Sequence, residues 1–541
     1  MEMQHYNHHT PSDQRSKEND DRFPQRFLRD SYSTRNLIAT YAASLLVTLC
    51  FVNMVVADGM LKFQVDDGNG HPVPARVHIR DDAGKAVSSL GHKDHLDHLI
   101  IDGERTVTLP AGTYVYGVER SPEWERVSGE VTINNGAAET VAIVLQRLVD
   151  LSKSGWYSGD LHIHRPPDEI EDLMRASDLH IGPVITWWNN QNYWKDHPLP
   201  KQPLIQFDGN RFARLMSGED EREGGALLYF GLDQPVDITG SSREFPSPMT
   251  FVEQARQQNA DVHLDIEKPF WWDVPVWLAV AEPDTIGLAN NHMCRDRMYE
   301  TEAWGKPRDT DRLSPPLGNG FWTQEIYYHI LNTGLRLPPS AGSASGVLPN
   351  PVGYNRVYVH VDGELTWEKW WNGLRAGRSF VTNGPIMLCR ANGELPGHVF
   401  RADSSGMLQV SFKTSFIHAG DVTQFEIIHN GKHAITGPVG ANVPHQFEYT
   451  FEDDGWFLIR VISNNPRTFR FASTAPFYIE EQSQPQRISQ ASCQFFLDWM
   501  NERIEGVKKN VPDPDERASV LASHLAAKHF WQQRIEKANA P

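Results

Sequence analysis

At 541 residues, 40% of them hydrophobic, the chain is too long for one ordinary core, and three or four domains are expected. A formal net charge of -18 excludes nucleic acid or an anionic membrane as the principal partner, because phosphate binding needs a basic surface. Four cysteines, Cys50 within an N-terminal apolar stretch, leave Cys294, Cys389 and Cys493, too scattered for a disulfide framework or a zinc knuckle.

The first segment, residues 1–57, is polar at its start and rich in His, Asp and Arg. It then turns apolar from Leu37 to Ala57, after Arg35, with Leu45, Leu46, Val47 and Leu49 at its centre. Small residues, Val55-Val56-Ala57, precede Asp58. This predicts a secretory signal with a long leading region, hence a secreted or periplasmic protein with no stable membrane insertion after cleavage. The alternative is an uncleaved N-terminal anchor facing outside the cytoplasm, since about 20 apolar residues span a bilayer.

Residues 58–150 read as short alternating strands, "LKFQVDD", "PARVHIRD", "RTVTLPAGTYVYGVE", "VSGEVTINNG" and "ETVAIVL", separated by Asp67-Gly68, Asn69-Gly70 and Asn135-Gly136. A β-sandwich is expected, and "LPAGTYVYGV" resembles carboxypeptidase-regulatory-like modules. "HKDHLDH" puts His92, His95 and His98 in a predicted loop. A solvated loop is the plain reading and an accessory metal site the functional one.

From 151 to 386, strand-like and helix-like segments alternate, which predicts an α/β unit. "EIEDLMRASDLH" is helical with Ile170, Leu173, Met174 and Leu179 inward, and "IGPVITWW" is a buried strand. "SPMTFVEQARQQNA" and "LTWEKWWNGLRAGR" read as helices, with "DVHLDIE" as a strand. Alternation returns from 387 to 481 as a second β-sandwich, and 482–541 is a helical tail.

The chemistry-bearing stretch is "SGDLHIHRPPDE". On a strand, His162 and His164 share a face about 7 Å apart, with Asp160 on the same side, so two imidazoles can converge on one ion. Pro166-Pro167 ends the strand and places the pair near its C-terminal end. Asp168 follows directly.

"GWYSGDLHIHRPPDE" resembles the first motif, D-L-H-x-H, of the PHP (polymerase-and-histidinol-phosphatase) metallohydrolases. The domain order, with "RLPPSAGSASG", "PVGYNRVYVHV" and "LRAGRSFVTNGP", is similar to the secreted CehA/McbA-like branch. The resemblance implies a distorted (β/α)7 barrel over 151–386, flanked by the two β-sandwiches and the helical tail. It also implies divalent metals and a metal-held water that attacks phosphate, ester or carbamate-type bonds.

Carried over residue by residue, the resemblance is incomplete. Trp187 and Trp188 stand where the second motif has ligands. "LMSGEDERE" supplies Glu219 with Asp220 beside it, but no histidine follows. A further histidine is met by His263, or by the acids Asp265 and Glu267 of "VHLDIEKPFWWD", with Lys268 adjacent; "IGLANNHMCR" offers His292. Where the last motif has Asp and His, "SAGSASGV" has Ser343 and Ser345.

The expected metal ligands are therefore His162, His164, Glu219, Glu267 and His292, with Glu219 or Asp265 as catalytic base. Asp160, Asp168, Asp220, His263 and Lys268 are expected around them. Such mixed ligands suit one divalent ion of zinc, manganese or iron. Twelve of the sixteen tryptophans lie between Gly155 and Pro385, and Trp187, Trp188, Trp271 and Trp272 fall at predicted strand ends. There they can wall a pocket for a small molecule or glycan-like substrate. Two functions stay open: an exported metal-dependent hydrolase, and a catalytically inactive PHP-like barrel that binds glycan or another ligand.

Overall fold

A computed structural model describes residues 58–87, 94–402, 407–417, 422, 424–439, 445–481 and 486–541. The predicted signal segment and His92 lie outside the described residues. The chain is a sheet-rich mixed α/β protein of several sheets with a helical C-terminal region.

Alternation builds the N-terminal part. Gly59–Asp66 sends Leu61, Phe63 and Val65 inward, where they meet Val77, Ile79, Leu99 and Ile101. Seven strands pair in the order Val127–Ile133, Gly112–Glu119, Pro74–Arg80, His98–Asp102, Glu104–Leu109, Gly59–Asp66, Ala138–Val144. They form one continuous sheet around this core rather than two separately paired ones. The solvated-loop reading of "HKDHLDH" does not hold at its end: His98 opens a strand and is only 4% exposed. Its side chain is covered because the face carrying Arg76, His78 and Arg80 is pressed on the rest of the protein, with Arg76 donating to Ser177 Oγ at 2.8 Å.

The α/β unit follows. Trp156–Gly159 pairs in parallel with Ile181–Trp188, which pairs in parallel with Arg211–Arg222. His263–Ile266, Thr285–Ala289 and Pro339–Ala341 are also parallel neighbours. Gly225–Phe230 runs antiparallel between Arg211–Arg222 and His263–Ile266, so the sheet is mixed. The helices Ile170–Ser177, Pro248–Gln258 and Trp367–Arg375 match the predicted ones, and Ile170, Leu173 and Met174 are buried as the helical spacing requires. Asp178 ends the first helix at a left-handed φ of 49°. Its carboxylate accepts from Arg211 at 2.7 Å and from Trp124 Nε1 at 2.9 Å, tying the N-terminal sheet to this unit.

The C-terminal strands are hydrogen-bonded into the same system, because Ser379–Thr382 pairs with Phe471–Thr474. Ile386–Ala391, Leu408–Ile417 and His445–Phe451 make a separate three-stranded sheet. The tail folds as Gln490–Asn510 and Pro514–Glu536, whose Phe496, Trp499 and Trp531 enter the main core. Cys294, Cys389 and Cys493 are all free and buried. Among the described residues no helix is long and apolar enough to cross a membrane.

Candidate metal centre

The D-L-H-I-H stretch begins where its strand stops. The strand ends at Gly159, one residue before Asp160, so the longer predicted strand is corrected. Beyond it Ile163 bridges in parallel to both Val184 and Ser345, and Ile185 N donates to Ile163 O at 2.8 Å. Leu161 and Ile163 are fully buried on one side, which turns His162 and His164 together to the other.

The two imidazoles meet one carboxylate. His162 Nε2 and His164 Nε2 are 2.9 Å apart, and Glu219 Oε2 lies 3.3 Å from the first and 3.0 Å from the second. Ligands about 2.1 Å from a zinc-like ion stand about 3.0 Å apart at right angles and about 3.4 Å at tetrahedral angles. The triangle fits one divalent ion bound on one side, leaving other positions open. Its three contacts cannot all be hydrogen bonds, since two ring nitrogens supply at most two protons and the carboxylate oxygen none. Without an ion, burial lowers His162 but Glu219 and Glu267 overcome it and hold the ring at about 10. Burial dominates at His164 and lowers it, while the two imidazoles hold Glu219 well below the carboxylate range against its own burial.

Glu267 sits on the far side of the His162 ring and is not a member of the triangle. Its Oε1 faces His162 Nδ1 at 3.3 Å. The other oxygen takes the Lys268 ammonium and Trp271 Nε1, the latter at 2.9 Å. Burial would raise Glu267, but Lys268 and His162 hold it down at about 2. A carboxylate on the outer nitrogen of a ligating histidine fixes its tautomer and orientation. The third carboxylate near the cluster is Glu221, which the sequence reading passed over. Two positions beyond Glu219 on the Arg211–Arg222 strand, it shares that face, and burial and the Glu219 charge raise it to about 8. Strand alternation through "EDER" carries this signal: Glu219 and Glu221 face one way, Asp220 and Arg222 the other.

Other expected residues take structural places. Asp160 does not face the triangle: its Oδ1 accepts the amides of His162 and Ser343 at 3.1 and 3.0 Å, and its Oδ2 that of Gly353 at 2.7 Å. Asp220 is bound by Arg222 through both oxygens, at 2.6 and 2.9 Å. Asp265 accepts the hydroxyls of Thr285 and Ser340, both at 2.5 Å, and His263 Nε2 lies 2.8 Å from the same Thr285 hydroxyl. Asp265 is thus a buried structural acid rather than a base at the triangle. His263 borders a cavity of about 1040 Å³ with Asp284 and Arg375. His292 packs on Phe270 and Tyr299 and is absent from the triangle; burial, with Lys268 nearby, lowers it to about 3. Asp168 is exposed in the short helical turn Pro167–Glu169.

The tryptophans divide likewise. Trp187 and Trp271 are core residues. Trp272 packs edge-on against Trp499 of the tail. Trp188 alone of the four lies against the triangle, its ring 4.9 Å from that of His164.

The "AGSASG" segment runs directly against the histidine motif. His164 N donates to Ser345 O at 2.8 Å, and a Cβ at Gly342 would stand 2.5 Å from His162 Cβ. Ser343 Oγ accepts the Asn355 amide at 3.0 Å, whereas the buried Ser345 Oγ has no hydrogen-bond partner.

No protein-family model matches this chain, and no curated protein matches it. Among solved structures, the Bacillus anthracis TIE protein is 19% identical over 17% of this chain and 17% of its own, at a TM-score of 0.14. The CARDB domain of a Pyrococcus furiosus protein is 11% identical over 18% of this chain and 95% of that domain, also at 0.14. A Bacteroides uniformis beta-glucuronidase is 7% identical over 79% and 60% of the two chains, at 0.17. These likenesses assign no fold, and function is argued from the site alone.

Proposed function

We propose that this chain is an exported PHP-like metal-dependent hydrolase of an ester, phosphoester or amide/carbamate-type bond, with His162, His164 and Glu219 as its metal ligands. The observation that carries this reading is the donor triangle, with sides of 2.9, 3.0 and 3.3 Å. Support for a distorted (β/α)7 barrel comes from the parallel strand–helix units and from the packing of "AGSASG" against the histidine motif.

A divalent ion held there would lower the pKa of a water molecule and polarise the bond under attack. Glu267 fixes the His162 ring from its outer nitrogen. Glu221, partly exposed and on the Glu219 face, is placed to exchange a proton with substrate or water. The partly exposed Trp188 offers an aromatic face beside His164 for a small, glycan-like substrate.

The second reading is a catalytically inactive barrel that binds a glycan or other ligand. It is favoured by Ser343 and Ser345, which stand where the resemblance expects an Asp and a His. One experiment separates the two: metal analysis of the purified chain beside a His162→Ala/His164→Ala variant, with hydrolysis of aryl phosphoesters, carboxyl esters and carbamates. The variant is expected to hold one equivalent of metal less than the parent and to lose a hydrolytic activity that the parent has. Metal without any hydrolysis would favour the second reading. Equal metal content in the two proteins would overturn the metal centre.

A further inference from the structure

A second group of donors lies on the N-terminal sheet. His78 and His98 are direct cross-strand partners of the Pro74–Arg80 and His98–Asp102 pair, so their rings share a face, with centroids 5.4 Å apart. Asp97 reaches both: Oδ1 is 3.0 Å from His98 Nδ1, and Oδ2 is 3.5 Å from His78 Nδ1. One donor atom from each of the three lies within 4.8 Å of the others. Both histidines are only 4% exposed.

An unpartnered buried nitrogen makes this more than a polar cluster. His78 Nε2 stands 3.1 Å from Glu119 Oε1, an acceptor, so that nitrogen carries the proton. His78 Nδ1 is buried, has no hydrogen-bond partner, and faces an Asp97 oxygen at 3.5 Å. A buried nitrogen that faces a carboxylate oxygen at that distance is satisfied by a cation the two share, a metal ion or a proton. Glu119 is itself held by Arg295 through both oxygens, at 2.9 and 3.2 Å, which gives His78 the carboxylate backing found behind metal-ligating histidines.

We propose that His78 Nδ1, an Asp97 oxygen and a ring nitrogen of His98 bind a second divalent ion of the zinc type. Two imidazoles and one carboxylate suit such an ion and leave a position open. Of the nearby cations, Arg295 is neutralised by Glu119 and Asp296, and Arg76 lies 3.6 Å from Glu119. Arg80 comes to 3.7 Å of Asp97, but its closer partner is Asp296 at 2.9 Å and its side chain is 40% exposed. His78 also lines a cavity of about 480 Å³ with Tyr116, Arg126 and Arg295. The three ligands lie on the sheet face that packs on the rest of the protein, where His95 Nε2 stands 2.9 Å from Leu348 O.

The test uses the full chain, stripped with chelator and titrated with zinc by calorimetry, and with cobalt by visible absorption. A His162→Ala/His164→Ala protein is expected to keep one equivalent of zinc, and adding Asp97→Asn/His98→Ala to reduce its affinity at least tenfold. Where circular dichroism shows that combination unfolded, His78→Gln, which retains an amide donor for Glu119 but loses Nδ1, is expected to do the same. Zinc uptake by the His162→Ala/His164→Ala protein that none of these changes weakens overturns the proposal. So does its binding no zinc at all, which makes His78 an imidazolium between two carboxylates. The second site is scored with the first removed, so its failure leaves the first measurable.

Discussion

Glu219 Oε2 stands 3.0 Å from His164 Nε2 because the strand that carries Glu219 lies in parallel register beside Ile181–Trp188, to which the histidine motif is itself hydrogen-bonded. Glu219 rides on a strand, and the histidine segment, past the end of its own strand, is held by the Ile163 bridges to Val184 and Ser345. Sites carried on regular elements hold their donors within narrow limits, so small displacements of either side should be read directly in metal affinity.

Gly342 supplies such a displacement. An added Cβ there would meet His162 Cβ at 2.5 Å, with the His162 backbone at 3.4 Å behind it. Gly342→Ala is therefore expected to push the imidazole out of the triangle and weaken metal binding by about tenfold or more. Titration of the chelator-stripped variant measures this. An affinity equal to the parent's would show that the segment does not position His162.

Glu267→Gln tests the outer carboxylate. The amide keeps the volume but removes the charge that faces His162 Nδ1 and that Lys268 and Trp271 hold in place. Loss of such a partner lowers metal affinity by about 10–100-fold. The expected result is weaker binding at unchanged stoichiometry. A change in stoichiometry instead would make Glu267 a ligand in its own right.

Much of this layout is legible in the sequence. The alternation of "DLHIH" places His162 and His164 on one face, and the helical spacing of "EIEDLMRAS" names its buried residues. What local pattern does not carry is pairing across the chain. Asp265 looks like a catalytic base until Thr285 and Ser340, on neighbouring strands, are seen to bind it. Asp220 looks equivalent to Glu219 until its face is occupied by Arg222. His98 reads as a loop residue because only the strand opposite, with His78, shows what covers it. Glu221 is a different case, since strand alternation alone would have named it.

Asp265 also gives a pH signature. Its carboxyl is raised to about 7 by burial, against the lowering effect of the Ser340 and Thr285 hydroxyls, while in the unfolded chain it titrates near about 3.9. Below the unfolded value both states hold the proton and nothing is lost. As pH rises from there to about 7 only the unfolded chain releases it, so this residue's contribution to stability falls across that window and then levels off. Asp265→Asn cannot ionise and should lack the decline. Melting temperatures of parent and variant from pH 4 to 8 are expected to shift in the variant's favour as pH rises. A constant difference would mean the carboxyl titrates alike in both states.

The tail supplies the last prediction. Arg503 on Gln490–Asn510 is buried and bonds both oxygens of Glu244, at 2.9 and 2.6 Å, and Asp273 at 2.7 Å. His524 of the second tail helix reaches the same Asp273 oxygen at 3.2 Å. Asp273 immediately follows Trp271-Trp272 and sits at the N-terminal end of the helix Val274–Val280, so the tail braces the chain leading back to Glu267 and Lys268. Arg503→Ala leaves two carboxylates buried with too few cations, and removing one partner of such a buried group costs about 3–5 kcal/mol. Equilibrium unfolding in urea should show a loss of that order. Arg503→Lys, which keeps the charge but cannot make the forked contact, should recover part of it. A loss near zero for Arg503→Ala would show that water reaches these carboxylates and that the tail is not a structural brace.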